Sequence, residues 1–118
     1  MAPPELLARL IALFPDFASH WDDAGNCFRD DDGSFTLHGA FTEFSTYFRD
    51  NYEQFSKDRL SALADFLDEC MTEPDSVLDN AAATCFLENV SCERFSKEFE
   101  GYLRGEPLKF YAYWNNPG

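Results

Sequence analysis

Apolar residues in this chain recur at three- and four-residue steps, the period of one face of an α-helix. The first stripe is Leu6, Leu7, Leu10, Ile11 and Phe14, preceded by Pro3 and Pro4. Proline fits a helix's first turn because its missing N–H would have no partner there in any case. Pro15 cannot continue that helix, but it suits the start of a second, short one carrying Phe17 and Trp21. The stretch from Ala24 to Ser34 reads as a loop. Leu37, Phe41, Phe44, Phe48 and Phe55, with Tyr52 near the same face, then predict a long helix from about Thr36 to Tyr52, weakened but not broken by Gly39.

Ser56 is a candidate N-cap for a fourth helix, whose Leu60, Leu63, Leu67 and Met71 form one stripe closed by Pro74. Asp75 or Ser76 can cap a fifth, with Val77, Leu78, Ala81, Ala82, Cys85 and Phe86 on its apolar side. After a break near Ser91, Phe95, Phe99, Tyr102 and Leu103 predict a sixth, stopped by Gly105 and Pro107, and the segment from Leu108 to Trp114 a last short one. No four-residue run alternates convincingly with period two. The expected fold is therefore all-α: a single irregular domain over residues 1–118, with about six or seven helices in antiparallel hairpins. Phe41, Phe44, Phe48, Leu63, Leu67 and Phe86 are its expected core. Phe55-Ser56-Lys57 returns as Phe95-Ser96-Lys97, which one tripeptide marks as chance or shared capping chemistry rather than a helical repeat.

Thirteen Phe, five Tyr and two Trp among 118 residues make this core aromatic. Each buried ring removes roughly 150–250 Å² from water, so the chain does not depend on disulfides for stability. Cys27, Cys70, Cys85 and Cys92 are widely spaced and read as reduced, mostly buried thiols. With no basic leader and no apolar run near the roughly 20 residues that span a bilayer, a soluble cytoplasmic protein is expected.

Charge changes the picture most. Twenty-two acidic residues face nine basic ones, and between Asp16 and Asp79 the count is sixteen against four, which places −12 of the net −13 in that stretch. Such a chain repels nucleic acid and anionic membrane, and it attracts cationic partners through a field that salt weakens. Asp22, Asp23, Asp30, Asp31 and Asp32 crowd the loop after the second helix. Asp58, Asp65, Asp68 and Glu69 lie along the fourth, and Glu43 and Asp50 share a face of the third. If the third and fourth helices pair as a hairpin, their outer faces and the loop form one surface for a basic protein. In the terminal cluster of Phe110, Tyr111, Tyr113 and Trp114 the rings cannot all turn inward, and Trp114 is the candidate anchor for a partner.

Chemistry finds less support. Placing Gly33 at the sixth position of a calcium loop puts Phe28 first and Gly39 last, where carboxylates are required, so Asp30-Asp31-Asp32 reads as a solvated loop. Zinc-type cysteine pairs are missing, and Phe17 and Phe35 stand three residues before His20 and His38, where a di-iron motif needs glutamate. Asp16 and His20 are spaced to meet on a helix as an ion pair. No nucleophile turn or phosphate loop is present. The expectation is a non-enzymatic protein with no metal and no cofactor.

Phe14-Pro15-Asp16-Phe17 with Trp21, Thr84-Cys85-Phe86-Leu87-Glu88-Asn89 and the aromatics around Trp114 resemble a family of small helical bacterial proteins that mostly lack an assigned function. In size, acidity and helical character the chain is also similar to immunity proteins of bacterial toxin systems, including contact-dependent growth inhibition. That likeness implies binding to a cognate toxin, a basic nuclease by charge, with its active site or substrate surface covered; it carries over no catalytic residue. A helical adaptor of another process is the alternative.

Overall fold

The computed structural model describes residues 1–23, 25–72 and 76–115. Seven α-helices follow in order: α1 (Pro3–Leu13), α2 (Phe17–Trp21), α3 (Leu37–Asn51), α4 (Lys57–Thr72), α5 (Ser76–Asn80), α6 (Ser96–Glu100) and α7 (Gly105–Asn115). A 3₁₀ turn, Tyr52–Gln54, ends α3, while α5 runs on through a π-helical segment, Ala81–Leu87, and a second 3₁₀ turn, Glu88–Val90. No strand occurs among the described residues. The all-α expectation holds, and the first four helices fall where their stripes place them. Ser56 caps α4 as expected, its Oγ accepting from the Arg59 N–H (3.2 Å), and Thr36 caps α3 in the same way, its Oγ1 accepting from the Gly39 N–H (2.9 Å). Pro74 and Asp75 lie outside the described residues.

The fifth helix differs from its α-periodic reading. In a π-helix each N–H bonds the carbonyl five residues back, so position i+5 comes to lie close over position i. Ala81 and Phe86, and Ala82 and Leu87, form two such pairs, and all four are buried together with Ala83. The widened turn brings Ala83 and Leu87 inside, where the α period did not place them. Val77, assigned to the apolar side, is 51% exposed.

The chain's last quarter needs a second correction. Gly105 and Pro107 do not stop the sixth helix, which ends at Glu100; they begin α7. Gly105 takes φ +63°, and a Cβ there would come within 2.6 Å of Asp68 Oδ1, so a side chain at this turn would be strained and would push the Asp68 carboxylate aside. Pro107 then sits in the first helical turn, where its lack of an N–H costs little. The two Phe-Ser-Lys tripeptides also part company. Ser56 caps a helix, whereas Ser96 is buried, its Oγ accepting from the Glu93 N–H (2.7 Å) and donating to the Val90 carbonyl (3.2 Å).

All six expected core residues are completely buried. Phe48 on α3 is the meeting point, with ring centroids 6.3 Å from Phe14, 5.4 Å from Phe55, 5.2 Å from Phe86 and 5.0 Å from Phe99. One ring thus joins α1, the turn before α4, the π segment and α6. Tyr111 of α7 packs on Phe99 (5.5 Å) and donates its hydroxyl to the Val90 carbonyl (2.7 Å), the same oxygen that Ser96 uses. The four cysteines are free thiols, but not mostly buried: Cys27 and Cys92 are exposed, Cys85 is half-buried and only Cys70 is enclosed.

Two outcomes are expected. Phe48→Ala removes the ring that joins these elements and should cost about 3–5 kcal/mol, read as a lower urea midpoint; an unchanged midpoint would take Phe48 out of the core. Burial, above its other influences, pushes the Tyr111 hydroxyl up to about 12. Burial and then the hydrogen bond to Glu98 also raise Tyr52. Unfolded tyrosine ionises near 10, so this stability is fully present below about pH 10 and is lost as pH climbs toward 12. Thermal midpoints should fall over that window, and less steeply in Tyr111→Phe, which has no proton to lose.

Candidate functional site

The acidic loop is a built turn. Asn26, buried, donates from Nδ2 to the Trp21 carbonyl (2.8 Å) at the end of α2 and accepts from the Phe28 N–H at Oδ1 (3.0 Å). Phe28 then lies against Gly39 of α3, where a Cβ would stand 3.1 Å from Phe28 Cβ. This close approach accounts for a glycine inside the third helix's pattern. Beyond it, the Asp30 N–H donates to the Ser34 carbonyl (2.9 Å), the Gly33 N–H to the Asp30 carbonyl (2.8 Å), and Gly33 adopts φ +87° to close the turn.

The five loop carboxylates are all exposed, and their partners are local. Asp23 Oδ1 accepts from the Gly25 N–H (2.7 Å). Asp32 Oδ1 accepts from both the N–H (2.9 Å) and the hydroxyl (2.7 Å) of Ser34, which holds its carboxyl below the usual range. Asp30 Oδ2 accepts from the same hydroxyl (3.1 Å), and Asp22 pairs with Arg29 (3.2 Å). Asp31 has no ion pair or hydrogen bond among the described residues. Arg29 is the only base in the loop, so its charge stays strongly negative.

The acids of α4 are arranged differently. Arg104 Nη1 lies 2.8 Å from Asp65 and its Nε 3.5 Å from Asp68, and Arg9 Nη2 lies 2.8 Å from Glu69 while its guanidinium stacks 4.7 Å over Phe66. Arg94 likewise pairs with Glu53. All three arginines come from outside the acidic stretch; Arg9 and Arg104 offset it where α4 packs on α1 and α7, and Arg94 offsets it at the 3₁₀ turn that ends α3. Asp58 remains unpaired among the described residues, but it opens α4 beyond the C-terminal end of α3. The loop feeds the N-terminal end, and α3's fifteen residues span about 22 Å.

An outer acidic face on α3 does not form, because α3 packs along the π segment and against α1 and α2, and only Asp50 of its residues is exposed. Glu43 is drawn to His20, Nε2 to Oε1 2.7 Å, with its side chain 15% exposed. His20 therefore meets Glu43 and not Asp16, its expected partner, and its ring lies against Phe17 (5.9 Å) and Tyr47 (5.6 Å).

A surface cavity of about 530 Å³ is a groove between α7 and the rod formed by α5 and the π segment. Met71, Ala83, Phe110 and Tyr113 give it an apolar lining; Asp79, Asn80, Thr84, Glu106 and Lys109 give it polar edges. Tyr113, 69% exposed, stands at its mouth. Trp114 is half-buried against Phe110 (6.2 Å) and Tyr113 (5.7 Å) and does not line the groove. The His38 ring and Asn80 Nδ2, 3.3 Å apart, join the groove's edge to the start of α3. His38 is six positions after Asp32, so the acidic loop ends within roughly 20 Å of the groove's edge. Among the described residues no cluster of three carboxylates, histidines or cysteines is arranged to hold a metal ion, and no helix is long and apolar enough to cross a membrane.

A family model described as a domain of unknown function, DUF7674, matches residues 7–116. The chain belongs to this family. Comparisons with curated proteins and with solved structures return no match. The DUF7674 match takes in the acidic loop and every residue lining the groove.

Sequence reasoning located the loop acids and missed the groove. Tyr113 lay in a cluster already marked as partly exposed, so its signal was available. Asp79 and Asn80 carried none, because no local pattern shows that the end of α5 borders the same groove as α7. Asn26 organises the loop and was also missed. Asn26→Ala leaves the Trp21 carbonyl and the Phe28 N–H without these partners, at a cost of about 1–3 kcal/mol. Hydrogen exchange should then quicken over residues 25–34 while the α3 core amides stay protected.

Proposed function

We propose that this protein is a non-enzymatic binding protein of the bacterial cytoplasm that captures a basic protein toxin, a nuclease being the favoured class, and neutralises it. The observation carrying this reading is the uncompensated acidic loop. Five exposed carboxylates, Asp22, Asp23, Asp30, Asp31 and Asp32, share one arginine, while arginines drawn from elsewhere in the chain answer the acids of α4. Such a patch speeds encounter with a cationic surface and disfavours nucleic acid or anionic lipid. The small size, acidity and helical architecture are in keeping with an immunity protein covering the basic substrate surface of its toxin.

Within this reading the α4 acids serve the fold first. Their pairs with Arg9 and Arg104 are exposed and individually weak, yet a partner would have to displace an arginine to use them. Asp22 through Asp32 are the primary contacts, with Asp58 outside them. Asp65, Asp68 and Glu69 contribute through the long-range field.

The test uses the basic protein recovered with this chain from its source cell at low salt. Asp30→Asn, Asp31→Asn and Asp32→Asn together remove three charges but keep the side-chain oxygens that hold the turn. Association should slow about tenfold or more and lose much of its salt dependence, with dissociation little changed. Identical association kinetics in the triple variant would remove the loop from recognition. Recovery of only neutral or acidic partners would defeat the proposal as a whole. A basic partner unconnected with any toxin would keep the binding surface and turn the protein into an adaptor.

A further inference from the structure

The groove beside α7 has features that an ordinary solvated surface lacks. Tyr113, one of the two large hydrophobic side chains exposed among the described residues, lines it from α7, and the other, Val77, stands on α5 outside the lining. Asp79 lines the groove half-buried, with no hydrogen-bond or ion-pair partner for its carboxylate among the described residues. A carboxylate partly withdrawn from water and left unpaired favours a cation beside it. On the opposite edge Glu106 is shared with Lys109 at 3.1 Å, both exposed, a contact that yields readily to a competing cation.

We propose that this groove is the anchoring site of the basic partner, receiving one aliphatic or aromatic side chain flanked by a lysine or arginine that Asp79 meets. The inference rests on the reading of the protein as a binder of basic proteins and adds where the partner's apolar contact is made. The groove is open, since Tyr113 at its mouth is about two-thirds exposed (69%), and an enclosed small-molecule site would bury most of its ligand. A second copy of this chain is opposed by the net charge of −13 on each molecule. A cationic segment with an apolar anchor satisfies both the unpaired carboxylate and the exposed Tyr113 ring. The contact between His38 and Asn80 places the groove's edge beside the start of α3, into which the acidic loop runs, so a partner steered by the loop arrives next to it. Trp114, backing Phe110 and Tyr113 from outside the groove, is a supporting ring and not the anchor.

Two matched sets of blocked dodecapeptides test the proposal on the intact protein: a central Leu, Phe or Trp flanked by lysines, and the same centres flanked by glutamates. Amide shifts should map the lysine set to residues 79–84 and 110–113. Asp79→Asn and Tyr113→Ala, both at accessible positions that leave the core intact, should each weaken binding by about tenfold or more. The glutamate set should not bind. Shifts confined to residues 22–34 would sink the groove while leaving the acidic loop as a capture surface. Equal binding of both sets would overturn the cation preference, and no binding of the lysine set anywhere would count against groove and loop together.

Discussion

α3 is enclosed on almost every side, and much of the molecule follows from that. A helix buried all round is ordinarily apolar all round, yet between its phenylalanines α3 carries Thr42, Glu43, Ser45 and Arg49. Each must find a partner where water is scarce. Thr42 and Ser45 return their hydroxyls to carbonyls of their own helix, Arg49 reaches the Asn89 carbonyl, and Glu43 takes His20. The last of these fixes α2 to α3, and α2 in turn delivers the chain into the acidic loop. The loop's position therefore descends from the burial of one helix.

Enclosure of α3 also decides how the charge is distributed. With Glu43 turned toward α2, acids can gather openly only in the loop and along α4. Along α4 they meet Arg9 from α1 and Arg104 from the approach to α7, so charge that is segregated in sequence is partly mixed in space. What stays unmixed is the loop, where Ser34 and backbone amides hold the carboxylates without neutralising them. Geometry without neutralisation suits a surface that attracts first and makes contact second.

Helices α1 to α4 were legible because a phenylalanine or leucine every third or fourth position has one physical meaning, and because Ser56 is a cap by chemistry. The loop was legible for the opposite reason, a run of Asp and Gly that no helix face could use. Arg9 with Glu69, sixty residues apart, and Arg104 with Asp65 were not, since pairing across the fold leaves no local trace. The Gly105 turn was misread because glycine followed by proline marks both the end of one helix and the beginning of the next. Nor could Asp79 and Tyr113 be brought together without knowing that alanines 81 to 83 widen the helix between them. Three alanines in a row suit an α-helix as well as a π-helix, and only packing against α3 distinguishes the two.

That widened segment bears on how the chain can vary. A π turn takes up one residue more than an α turn over the same path, so Ala81–Leu87 holds slack in length that the rest of the rod does not. Loss of one alanine there can be absorbed by tightening toward α geometry, with α5 and the Glu88–Val90 turn keeping their places on either side. The same loss in α3 would rotate every following phenylalanine away from its partner. Length differences among members of this family should therefore be tolerated beside the groove and excluded from α3, leaving the groove's width free to drift while the core stays fixed.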